Sequence, residues 1–157
     1  MRTFTLPQMT QLLFAIRDRL HIIHLFYCRS VTEHLTLERM YKIVQKGTDG
    51  LMERLFVNLD NREPLIIIDT SIVEKLKRVN KLDTIEACIT FIEIFNEIRS
   101  QFKGDLFRNS LYSFIDDIIS DLNEQIYMFQ LELRNIRVSN MTANRQQLLY
   151  HRKRVML

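Results

Sequence analysis

Apolar residues recur along this chain at steps of three and four in several long stretches, the spacing of amphipathic helices. In the first stretch, Leu13, Ile16, Leu20, Ile23, His24 and Tyr27 share one stripe, and Pro7 lies near its start. Proline is accepted in a first helical turn, where its missing N–H costs nothing. The chain then bends near Arg29–Thr32, where Ser30 and Thr32 can cap a following helix. That second helix is predicted over about 34–58, with Met40, Ile43, Val44, Gly47, Leu51 and Leu55 as its inner stripe. Gly47 weakens a mid-helix position by about 1 kcal/mol relative to alanine. It reads either as a point of close helix approach or as harmless drift.

The segment Asn61-Arg62-Glu63-Pro64 ends the second helix. LIIIDTS, residues 65–71, is the one β-like run. A short apolar run without a partner strand makes a poor sheet, so it reads as an extended crossover with Ile66–Ile68 packed on the bundle. A short helix follows over about 71–79. The third long helix is predicted over 82–102, with Ile85, Cys88, Ile89, Ile92, Phe95, Asn96 and Ile98 or Arg99 inward, and Gly104 ends it. The fourth is predicted over 106–137, with Leu111, Phe114, Ile115, Ile118, Ile119, Leu122, Ile126 and Phe129 on its inner stripe. Its acids Asp116, Asp117, Asp121 and Glu124 form a solvated or inter-subunit face. The pattern as a whole predicts an all-α protein, a four-helix bundle with a short helix in its long second crossover.

Composition supports this picture. A chain of 157 residues, 46% hydrophobic, can bury one real core, and three Gly with two Pro leave few helix breaks. Cys28 and Cys88 fit no metal-binding spacing and read as thiols of a reducing compartment. No run approaches 18 uninterrupted apolar residues and no signal pattern opens the chain, so the expectation is a cytoplasmic protein without a membrane partner.

Charge divides the chain. All 19 acidic residues and 16 of the 22 basic ones precede Leu133, which leaves the body at −3 and the tail at +6. We therefore expect a bundle over residues 1–137 and a basic C-terminal arm over 138–157. Arg134, Arg137, Arg145, Arg152, Lys153 and Arg154 suit a polyanion, and Tyr150 could stack on a base. Leu148, Leu149, Val155, Met156 and Leu157 suit instead an arm docked on protein.

The densest chemistry lies between His24 and Glu53. Glu38 follows His34 by four residues, and Glu53 follows Asp49 by four, so each pair shares a helix face. Imidazole with carboxylate is a donor set for a first-row metal such as iron. Glu38 and Asp49 are eleven residues apart, or roughly 16 Å along a helix axis. Metal–ligand bonds are about 2 Å long, so one ion cannot touch both pairs within one chain. A two-fold copy of the helix would bring the upper pair of one chain against the lower pair of the other.

The ordered set His24, His34, Glu38, Asp49 and Glu53 resembles the ferroxidase ligands of Dps proteins, small ferritin-like iron stores that guard DNA. The fifteen-residue step from His34 to Asp49 agrees with that family, and the likeness is greater to the divergent Dps-like proteins of phages. Two departures are visible: Leu25 stands where an aromatic follows the first His, and the loop between the two His is shorter. The resemblance implies a ferritin-like fold, a di-iron site shared across a dimer two-fold, iron (Fe2+/Fe3+) as the metal, and a homo-oligomer as large as a dodecamer. It implies ferroxidase and iron-storage activity, located in the host cytoplasm or in the virion if the chain is phage-encoded. A competing function is a structural protein of a phage particle or ring assembly, docking through bundle and arm without metal. A third reading is a ribonuclease of the HEPN kind, since Arg29 and His34 form an R-x4-H pattern.

Overall fold

The computed structural model describes residues 4–58, 69–102 and 108–155, and every regular element among them is helical. The helices are α1 (Leu6–Phe26), α2 (Val31–Asn58), the short α3 (Val73–Val79), α4 (Thr84–Gln101) and α5 (Arg108–Val155), with a 3-10 turn at Thr70–Ile72. The expected helix end at Asn61–Pro64, the packing of Ile66–Ile68, the stop at Gly104 and the start at Leu106 lie outside the described residues.

Local chemistry sets several boundaries. Thr5 caps α1 through a reciprocal pair with Gln8, and Pro7 lies in the first turn as expected. The Glu33 N–H donates to the Ser30 hydroxyl at 3.0 Å, which starts α2 a few residues before the predicted position. Asp83 and Glu86 form the same reciprocal box at the start of α4. Asp69 caps the 3-10 turn and accepts from the Gln8 amide at 2.7 Å, tying the crossover to the start of α1.

Long-range contacts give the helix directions. His24 of α1 meets His34 of α2, while Arg17 reaches Asp49 further along, so the two helices are antiparallel. Thr36 bonds Glu132, and Gly50 abuts Phe114, so α5 runs antiparallel to α2. Phe4 bonds Glu97 and Arg19 bonds the Leu82 carbonyl, so α4 opposes α1. Arg99 pairs with Asp116, so α4 and α5 are also antiparallel. It follows that α2 and α4 run the same way across a diagonal, joined by the crossover that carries α3.

The core is one continuous cluster. Phe91, Phe95, Leu13, Ile16, Met40 and Leu111 are among its fully buried side chains. Gly47 sits where α2, α4 and α5 converge: a Cβ there would meet Ile118 and Phe91 at 3.0 Å and Phe95 at 3.2 Å. Close approach is therefore what this glycine provides, and the alternative of drift is set aside.

Three expectations are corrected. Tyr27 lies just past the end of α1 and is 62% exposed, not on the core stripe, because the helix stops before completing that turn. Ile89 and Asn96 of α4 are exposed, and Ala87, Phe91 and Ile94 take the inner positions, a stripe rotated by part of a turn. The fourth long helix does not end at Arg137 but continues to Val155. No Gly or Pro interrupts it, and nothing in residues 133–155 stops a helix. Its core contacts end around Phe129 and Leu133, so the last turns leave the bundle at the end that carries the α1–α2 bend.

Candidate metal centre

Two helical elements build the site. The end of α1 presents His24, and the first turns of α2 present His34 and, one turn on, Glu38. The bend of residues 27–30 folds α1 back on α2 and brings the three together. Donor atoms of His24, His34 and Glu38 all lie within 4.8 Å of one another, the one such His/Cys/Asp/Glu cluster among the described residues. The two imidazoles stack with centroids 4.4 Å apart and 29° between planes.

His24 is the telling residue. Both its ring nitrogens, Nδ1 and Nε2, are buried and have no hydrogen-bond partner. Buried polar atoms are almost always satisfied, and an orphan costs about 1–3 kcal/mol. In a neutral imidazole one of these nitrogens is an N–H that lacks an acceptor, and the other offers a lone pair that a metal beside His34 and Glu38 could take. Burial, with a smaller contribution from the charge of His34, holds the His24 pKa below its ordinary value. The ring is therefore neutral near pH 7, the form in which imidazole ligates a metal.

Glu38 is ionised and already engaged. Its Oε1 accepts from Lys42 Nζ at 2.6 Å, and that hydrogen bond and charge hold its carboxyl below the usual carboxylate range. A divalent cation held by His24, His34 and Glu38 would compete with the ammonium for this oxygen. The donor set of two imidazoles and one carboxylate fits a first-row divalent metal.

Asp49 and Glu53 lie further along α2, outside this cluster. Asp49 faces Arg17, with Nη1 to Oδ1 at 3.9 Å, and Glu53 is exposed. The chain thus assembles three of the five expected ligands and leaves the other two on the same helix. Of the basic arm, Arg134, Arg137 and Arg145 are exposed. Tyr150, Arg152, Lys153 and Arg154 belong to the helical end of α5, but their side chains lie outside the described residues, as do those of Leu148, Leu149 and Val155. Met156 and Leu157 are outside altogether. Arg29, of the R-x4-H pattern, pairs with Glu33 at 3.8 Å.

Two neighbours were not anticipated. Tyr41 stacks on His21 at 4.5 Å and lies 6.2 Å from His24, forming an aromatic wall beside the cluster. The signal was present, since 34, 38 and 41 share a helix face, as do 21 and 24. The second is Lys42, one turn past Glu38. Ile22, Leu25, Phe26, Val31 and Leu35, near the three residues in sequence, are exposed. No protein-family model, no curated protein and no solved structure matches this chain.

Proposed function

We propose that this protein binds Fe(II) at His24, His34 and Glu38 and that a second copy completes the site with Asp49 and Glu53, giving a Dps-like iron-oxidising and iron-storing oligomer. The observation that carries the reading is the buried His24 ring, whose two nitrogens lack partners beside His34 and Glu38. The parallel run of α2 and α4, joined by a long crossover with a short helix, is the topology expected of a ferritin-like bundle and supports the same reading. The exposed Ile22, Leu25, Phe26, Val31 and Leu35 of the hairpin offer apolar surface to a second copy in this reading. In this reading His24 and His34 are neutral nitrogen ligands, Glu38 supplies an oxygen in place of its bond to Lys42, and the iron is substrate and cargo.

The test is Fe(II) binding to anaerobic protein, followed by exposure to oxygen or peroxide. Loss of binding in His24→Ala and His34→Ala, with loss of fast oxidation in the Asp49→Ala/Glu53→Ala pair, is the expected result. Binding that survives both histidine changes removes the metal reading. Binding lost with the histidines but indifferent to Asp49 and Glu53 removes the shared site.

A structural role is the second reading, and one observation favours it: the exposed extension of α5 beyond the bundle, which a metal site does not need.

A further inference from the structure

The outward side of α5 has an order of its own. Asp117, Glu124, Leu131, Val138 and Arg145 recur every seven residues along one line, opposite the buried Leu111, Ile115 and Leu122. A seven-residue repeat keeps side chains on one helix face with a drift of about 20° per repeat. The line is acidic at its start, apolar in its middle and basic at its end. Tyr127, Met128, Val138 and Met141, on or beside it, are 49% to 72% exposed, an unusual density of bare apolar side chains for one helix. Asp117, Asp121 and Glu124 have no ion-pair partner among the described residues, nor have Arg134 and Arg145. By contrast Asp116, one residue away, is held by Arg99.

This order is self-complementary. Asp117 and Arg145 both lie fourteen residues from Leu131, or about 21 Å along the axis in opposite directions. Glu124 and Val138 are each seven residues away. Two copies of α5 laid antiparallel about a two-fold axis at Leu131 would therefore place Asp117 of each against Arg145 of the other. Arg134 would fall opposite Met128, one turn from Glu124. Leu131, half-buried in the single chain, would meet its own copy, with the exposed Tyr127 and Val138 closing the apolar centre. A parallel arrangement would instead set acid on acid and base on base. A contact of this kind is isologous, so taken by itself it closes at two chains.

We propose that the solvent face of α5 is a two-fold, antiparallel docking surface for a second copy of this chain, centred on Leu131. It uses the outward side of α5, whose other side meets the α1–α2 hairpin through Glu132 and Thr36, and it does not depend on metal. It also accounts for the extension of α5: the basic half of the surface lies beyond the bundle because it is matched to the acidic half of another copy.

The test reverses charges on the full-length protein and reads mass by sedimentation at low and high salt, with circular dichroism to confirm helix content. Asp117→Lys and Arg145→Glu each put like charges together twice per contact. Each should lower the largest species by at least one association step, with roughly tenfold weaker affinity at low salt. The double variant Asp117→Lys/Arg145→Glu swaps the pair across the axis and should restore the wild-type mass, which a general loss of folding could not do. Wild-type association should itself weaken as salt rises. The proposal is overturned if both single variants keep the wild-type mass, if the double variant stays dissociated, or if the wild type does not self-associate. It is likewise overturned if the mass is unchanged while Arg145→Glu weakens and Asp117→Lys strengthens binding to duplex DNA, which would make the arm a polyanion surface. Hairpin variants at the metal cluster leave this step intact, so the two readings fail separately.

Discussion

The imidazoles of His24 and His34 stand face to face at 4.4 Å, one from the last turn of α1 and one from the first turns of α2, and the His24 nitrogens bond to nothing. A core would gain from an apolar residue in that position. His24→Leu should therefore stabilise the metal-free protein by about 1 kcal/mol, since it removes two unsatisfied buried atoms. The same change should abolish the stabilisation that Fe(II) or Zn(II) confers. Urea unfolding with and without metal checks both. A His24→Leu protein that is less stable without metal would show that the ring serves packing.

Lys42 acts as a counter-ion to Glu38 across 2.6 Å. Removing it frees the carboxylate and deletes a positive charge beside the cluster. Lys42→Ala should tighten divalent metal binding by about twofold to fivefold, the worth of a surface ion pair. Glu38→Gln should weaken it. Calorimetric titration of both variants distinguishes a ligand carboxylate from one that only pairs with lysine.

The depressed pKa of His24 gives the metal-free protein a pH signature. Below the ordinary histidine value of 6.5 the unfolded chain takes up a proton that the folded ring refuses. The unfolded state then binds more protons, so stability rises with pH through the window between the folded pKa and 6.5, and falls as the solution is acidified through it. Urea midpoints between about pH 5 and 8 should show this slope. His24→Leu should flatten it.

Gly47 lies 3.0 Å, by its absent Cβ, from both Ile118 and Phe91. Alanine there gains about 1 kcal/mol of helix propensity. Overpacking between three helices costs about 1–3 kcal/mol. The net expectation for Gly47→Ala is destabilisation, visible as a lower thermal midpoint.

The two thiols should resist labelling. Cys88 is fully buried and its thiol is pushed up to about 12 by burial. Burial, and then Glu33, raise the Cys28 thiol, which donates to the His24 carbonyl at 2.9 Å. A disulfide reagent near pH 8 should modify Cys28 slowly and Cys88 only after unfolding, because the thiolate is the reactive form.

Much of this architecture was legible as periodicity. Long stripes such as Leu13–Ile23 and Leu111–Phe129 announce their helices, because only a helix puts those residues on one face. The pairing of His34 with Glu38 follows from the same spacing. What spacing does not carry is where a helix stops without a breaker. The apolar stripe of the fourth helix fades after Phe129, but no breaker follows, and the helix runs on to Val155. Ile89 and Asn96 fall off the inner face of α4, and the isoleucines on several sides of that helix blur its phase in the sequence. The approach of His24 to His34, and the idleness of its nitrogens, depend on the geometry of a four-residue bend, which no pattern along the chain encodes.

The uninterrupted course of α5 makes it a ruler with a phase. Each residue of an α-helix advances about 1.5 Å and turns about 100°. One residue inserted after Leu133 would rotate everything beyond it by more than a quarter turn while barely changing its reach. Seven inserted residues would restore nearly the same facing about 10 Å farther out. With no Gly or Pro between Arg108 and Val155, no natural joint can absorb such an error. Whatever the far end of this helix touches, it meets at an angle set by the core packing of Ile115, Ile118 and Leu122.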